Sequence, residues 1–109
     1  MAVDIEHAIK LFNFANRSRI VITGRERIAR SKHKLQFILV STDIAENSLE
    51  NILRDFSHYP IVQLFTSEEF EDFFTYKNCK FIAFEKSDLA IQIYKDLKEA
   101  RINKPEKEA

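Results

Sequence analysis

The sequence predicts an α/β protein: a three-layer α/β/α sandwich around a four-stranded mixed sheet, in the element order α-β-α-β-α-β-α-β-α. Three observations predict it. Four short, β-branched apolar runs alternate with segments whose apolar residues recur at helical spacing, and such alternation favours a sheet held between helices. One run, "LQFILVST" (35–42), is too short for a buried helix and too apolar for a surface strand; it suits a central strand covered on both faces. The chain has 109 residues, 45% of them hydrophobic, with 10 Phe, which is enough for one core and too little for two. A single domain is expected over 1–103, with Ile38, Leu39 and Val40 buried. The tail 104–109 has the charged, proline-broken composition of a disordered end.

Each element has its own signal. In "DIEHAIKLFNFANRS", Asp4 is placed to cap a helix whose Ile5, Ala8, Ile9, Phe12 and Ala15 fall on one face. "RIVIT" reads as a strand that stops at Gly24, and "RERIARSKH" as a short helix with Ile28 and Ala29 as its apolar contacts. After the central strand, Asp43 and Glu46 have capping-box spacing. They open a helix whose inner face is Leu49, Ile52, Leu53 and Phe56. Pro60 closes the connection, and "IVQLF" is the third strand. Thr66 and Glu69 repeat the capping spacing before Phe70, Phe73 and Phe74. "KFIAFEK" is the fourth strand. Ser87 caps "DLAIQIYKDLKEARI", with Leu89, Ala90, Ile93 and Leu97 as its stripe. The aromatic residues of these segments are expected in the core.

Several classes of function are disfavoured. One cysteine, Cys79, forms no internal disulfide and no thiol-rich metal site; a half-buried, inert thiol is its expected state. No leader-like segment and no run of roughly 20 apolar residues is visible, so a soluble, cytoplasmic protein without a membrane partner is expected. His7, His33 and His58 fit no catalytic signature and lack metal spacing. With one glycine, no phosphate-binding glycine-rich loop can be written. The carboxylate pairs Glu68-Glu69 and Glu71-Asp72 fall on a helix that needs an outer face. The chain is therefore read as non-catalytic, with no metal and no cofactor.

Charge is balanced overall, with 17 basic and 17 acidic residues, but it is not evenly spread. From Arg17 to Lys34 there are seven Lys or Arg residues and one acid, Glu26, a local excess of six. A strand that ends at glycine and opens a helix presents free amides, which attract anions. Arginine forks match phosphate oxygens two at a time. Gly24, Arg25, Arg27 and Arg30 are thus the candidate nucleic-acid site, with Lys32 and Lys34 as outer phosphate contacts. Arg17 and Arg19 are placed to flank it.

The ordered set of elements resembles the ribosomal-protein superfamily of kink-turn RNA binders, the seven-Ae/thirty-e ribosomal protein family, over roughly residues 5 to 98. The similarity rests on "AIKLFNFANRSRIVITG" with Gly24 at the strand-to-helix turn, "FILVSTDIAENS" with Asp43 and Asn47, "IVQLFTSEEFEDFF" and "FIAFEKSDLAIQI". The resemblance implies a ribosome-associated module for structured RNA, ribosomal or another stem with an internal loop, working within a ribonucleoprotein. The chain departs from the pattern where members contact RNA. Glu26 and Arg27 replace an Asn or Lys followed by Glu or Gln, and Ser67 and Glu71 replace a Lys and a Gly, while Arg30 keeps the basic character of a family Lys. The alternative reading is a divergent member that has lost RNA binding and meets a protein partner through the acidic helix 67–74.

Overall fold

The computed structural model describes residues 4–103; the expected tail lies outside the described residues. Helix α1 (Ile5–Ser18) starts where the Asp4 side chain accepts the His7 amide at 3.2 Å. It buries Ala8, Phe12 and Ala15. Strand β1 (Val21–Ile22), helix α2 (Arg25–Arg30) and a 3-10 turn (Lys32–Lys34) lead into β2 (Leu35–Val40). Helix α3 (Glu46–Asp55), β3 (Ile61–Gln63), α4 (Ser67–Phe74), β4 (Phe81–Glu85) and α5 (Asp88–Leu97) follow. The expected alternation is therefore present throughout.

The strands lie in the order β1-β4-β2-β3. β4 runs antiparallel to both β1 and β2, and β2 runs parallel to β3, which makes the sheet mixed. β2 is interior, and Ile38, Leu39 and Val40 are fully buried as expected. Side chains alternate across a strand. Phe37 and Leu39 therefore join one core, and Ile38 and Val40 the other. Leu35 shares a core with Ile38 rather than with Phe37, because the register shifts between Leu35 and Phe37. The extra residue of such a bulge reverses the face of what precedes it.

Residues of α1, α4 and α5 cover one side of the sheet, and residues of α2 and α3 the other. The first side is aromatic. Phe37 and Phe84 are cross-strand partners stacked at 4.6 Å with 8° between their rings. Phe12 meets Phe74 at 4.7 Å and Phe73 at 5.4 Å. Among the described residues no helix is long and apolar enough to cross a membrane.

Several local expectations need correction, the first being that Phe14, in a segment whose aromatic residues are expected in the core, is exposed. The Asp43–Glu46 capping box does not form: α3 begins at Glu46 after Ala45, without a side-chain cap. The carboxylate that would have made it is turned toward α4 instead, where it accepts from Ser67. Ala29 is exposed, so Ile28 alone among the residues of α2 is buried. The third strand stops at Gln63, because Phe65 takes a positive φ of 72° and turns the chain into α4. The last helix ends at Leu97, followed by a 3-10 turn (Lys98–Ala100). Beyond it Arg101 bridges to Val62, and the Ile102 amide donates to the Ile61 carbonyl at 2.8 Å. Asn103 completes this edge, accepting from the Ile61 amide and donating to the Tyr59 carbonyl, both at 2.8 Å.

The Phe37–Phe84 stack is the most demanding contact of the aromatic layer. Phe84→Ala should cost about 3–5 kcal/mol in urea unfolding, the range for deleting a buried aromatic ring. Phe14, which is 54% exposed, is the matched comparison. Its change to alanine should stay within about 0.5 kcal/mol of the parent.

Candidate nucleic-acid interface

α2 opens at Gly24, whose φ of 89° and ψ of 127° lie where side chains are disfavoured. A Cβ built there would meet nothing within 4 Å, so backbone conformation alone selects glycine at this turn. The Ile28 amide donates to the Gly24 carbonyl at 2.9 Å, the first helical bond. No side chain caps the helix start. Gly24 and Arg25 line a groove of about 600 Å³. Thr23, Ile44, Ser48 and Ile52 also line it, together with the loop from Thr75 to Lys80 and Phe81. The groove is amphipathic: Ile44, Ile52, Tyr76 and Phe81 supply apolar surface, and Arg25, Lys77 and Lys80 supply charge.

Four of the seven cations from Arg17 to Lys34 have partners within the chain. Arg25 Nη2 donates to Asp55 Oδ2 at 2.8 Å. Arg54 Nε reaches the other oxygen of that carboxylate at 3.3 Å. Desolvation raises the Asp55 pKa, but the Arg25 hydrogen bond and the Arg54 charge outweigh it and leave the carboxyl below its usual range. Lys34 pairs with Glu85 at 3.2 Å, and Lys32 lies 5.0 Å over the Phe56 ring. Arg30 approaches Glu26 at 4.0 Å with both side chains largely exposed, a geometry that contributes little. The Arg27 side chain makes no hydrogen bond or ion pair among the described residues, and the Arg27 carbonyl accepts the Ser31 amide at 3.1 Å. Of the six residues read from sequence as the site, Gly24 and Arg25 line the groove. Arg27, Arg30, Lys32 and Lys34 lie outside its lining, as do Arg17 and Arg19.

Sequence reading missed the loop that completes the groove. Thr75 and Asn78 have φ of 64° and 55°, left-handed conformations that fold "TYKNCK" back after α4. Lys77 is exposed and carries no ion pair among the described residues. Lys80 Nζ bonds both Asp43 Oδ2 and Ser67 Oγ at 3.2 Å. Asp43 also accepts from the Ser67 amide at 2.9 Å and from the Ser67 hydroxyl at 2.7 Å. The Ser67 hydroxyl is the largest influence holding the Asp43 carboxyl well below the usual carboxylate range. The nearby Ser41 hydroxyl, the Ser67 amide and Lys80 act in the same direction. Ser41 Oγ, fully buried, nevertheless has no partner in hydrogen-bond geometry. "KNC" reads as a polar loop, but nothing in its spacing announces Gly24 as a neighbour. Cys79, also in the groove lining, donates to the Phe81 carbonyl at 3.2 Å, and partial burial raises its pKa. It is a protonated thiol and a poor nucleophile.

No protein-family model matches the chain, and no curated protein does. Among solved structures, a protein of unknown function from Bacillus halodurans superposes with a TM-score of 0.73. The two are 13% identical, and the match covers 81% of this chain and 93% of that one. At that identity the likeness shows the fold alone.

Two outcomes follow from this geometry. Gly24→Ala should lower stability by roughly 1–3 kcal/mol through backbone strain, since nothing crowds the added methyl; urea titration measures it. The Asp43 pKa is depressed on folding, so its contribution is fully present above the ordinary aspartate pKa of about 3.9. It is lost as pH falls through the folded value. Unfolding midpoints between neutral and strongly acidic pH should therefore fall less steeply in Asp43→Asn than in the parent.

Proposed function

We propose that the protein is a non-catalytic RNA-binding module of the ribosome-associated kind, and that RNA enters the groove between the start of α2 and the loop 75–80. The observation that carries this reading is that Gly24 and Arg25 share one groove lining with Lys77 and Lys80. An open helix start and separate cations serve phosphate. Apolar side chains between them suit the face of an unpaired base, and unpaired bases are what most sequence-selective RNA binders take up. The kink-turn resemblance supports the same reading. Glu26 stands where the family places a base contact, so backbone attraction should exceed sequence choice.

A second reading has its own support. Arg25, Lys32 and Lys34 have partners within the chain, which reduces what is free for phosphate. Glu68, Glu71 and Asp72 are exposed along α4. These features favour a family member that contacts a protein through 67–74.

Filter binding of ribosomal RNA over a salt series separates the two. The RNA reading expects affinity to fall steeply with salt, with Lys77→Ala flattening the log–log slope by about 1 and the double change Arg27→Ala, Arg30→Ala by about 1 to 2. Flattening by the lysine change alone would confine the RNA to the groove. No binding at low salt would remove the RNA reading and leave the protein-contact one.

A further inference from the structure

The first turn of α1 and the last turn of α5 meet on the surface away from the groove lining. The Asp4 amide donates to the Asp96 carbonyl at 2.9 Å, which fixes the two helix ends against each other. At this junction His7 Nδ1 lies 2.6 Å from Asp96 Oδ2. One ligand atom from each of Asp4, His7 and Asp96 falls within 4.8 Å of the other two. We propose that Asp4, His7 and Asp96 form a binding site for a single borderline transition-metal dication of the zinc class, which clamps α1 to α5.

The donor set selects the metal. One imidazole nitrogen with two carboxylate oxygens suits zinc, cobalt or nickel. Magnesium and calcium want about six or more oxygens and are poorly served. Donors about 2 Å from a tetrahedral zinc stand about 3.3 Å apart. The Nδ1–Oδ2 pair, at 2.6 Å, must therefore open slightly to admit the ion. Asp4 uses one oxygen on the His7 amide and has the second to give. The Asp96 side chain is only 14% exposed, whereas His7 is 48% exposed and open to an incoming ion. Two carboxylates beside one neutral imidazole carry two negative charges, which match a dication. Three protein donors leave the fourth position to water. The partial positive charge of the α1 start opposes the cation, so the affinity should be modest. His7 and Asp96 are 89 residues apart in sequence, so a metal held there ties the two ends of the fold together.

The test is calorimetric titration of zinc chloride into the full chain, with the imidazole resonances of all three histidines followed by NMR. One zinc per chain should bind, and the His7 ring should shift while His33 and His58 stay in place. Free zinc at about one hundred times its dissociation constant should raise the folding equilibrium constant about a hundredfold, and chelation should reverse it. Asp96→Asn and His7→Ala should each abolish the one-equivalent step, and His33→Ala should keep it. A shift at His33 or His58 without His7 would overturn the proposal. So would undiminished binding by the folded His7→Ala chain, or absence of both heat and ring shifts in the unaltered protein.

Discussion

Both cores of this protein hang on one strand. β2 is hydrogen-bonded on both edges and covered on both faces, so every second side chain serves a different layer. Phe37 and Leu39 anchor the aromatic layer under α1, α4 and α5, while Ile38 and Val40 anchor the aliphatic layer under α2 and α3. Burying a strand on both faces demands continuous apolar sequence and leaves no room for a one-residue slip. The bulge before Phe37 meets that demand at its start, since it places Leu35 with Ile38 although the two are three residues apart.

The functional face follows from the same frame. α2 is only six residues long and is fixed by Ile28, so its position depends on the aliphatic layer. The loop 75–80 leads into β4, which pairs directly with β2. Asp43, just beyond the end of β2, binds the start of α4 and Lys80 together. The charges around the groove thus have two duties, and most are spent on holding loops. Of the three cations in the groove lining, Lys77 carries no ion pair among the described residues, and it shares that lining with the open helix start at Gly24.

Much of the fold was legible because local signals agree with tertiary ones. Thr66 and Glu69 form the capping box that their spacing announces, and Ser87 caps α5 by accepting the Ala90 amide. Asp43 has the same spacing and misleads, because its carboxylate accepts instead from the amide and hydroxyl of Ser67 and from Lys80. Strand ends were overread at "IVQLF", where a positive φ at Phe65 decides the stop and no residue type signals it. For the candidate site, Gly24 and Arg25 were visible as a chemical type, but their neighbours Lys77 and Lys80 lie more than fifty residues on. Proximity over such a distance is created by the sheet order, which spacing does not encode.

That sheet order also governs how the chain can be made. Among the described strands β4 comes last in sequence, yet it sits between β1 and β2 and pairs with both. Until residue 85 has left the ribosome, the earlier strands have no partner between them, and the aromatic layer lacks Phe84. Of the sheet's pairings, only that of β2 with β3 can form without β4. Native pairing of β1 must wait for a segment about sixty residues downstream, a long loop to close before any contact offsets its entropy. During that interval the apolar edges of β1 and β2 are open to other chains. The pairing of β1 with the rest of the sheet therefore depends on β4, whichever of the other elements form before it.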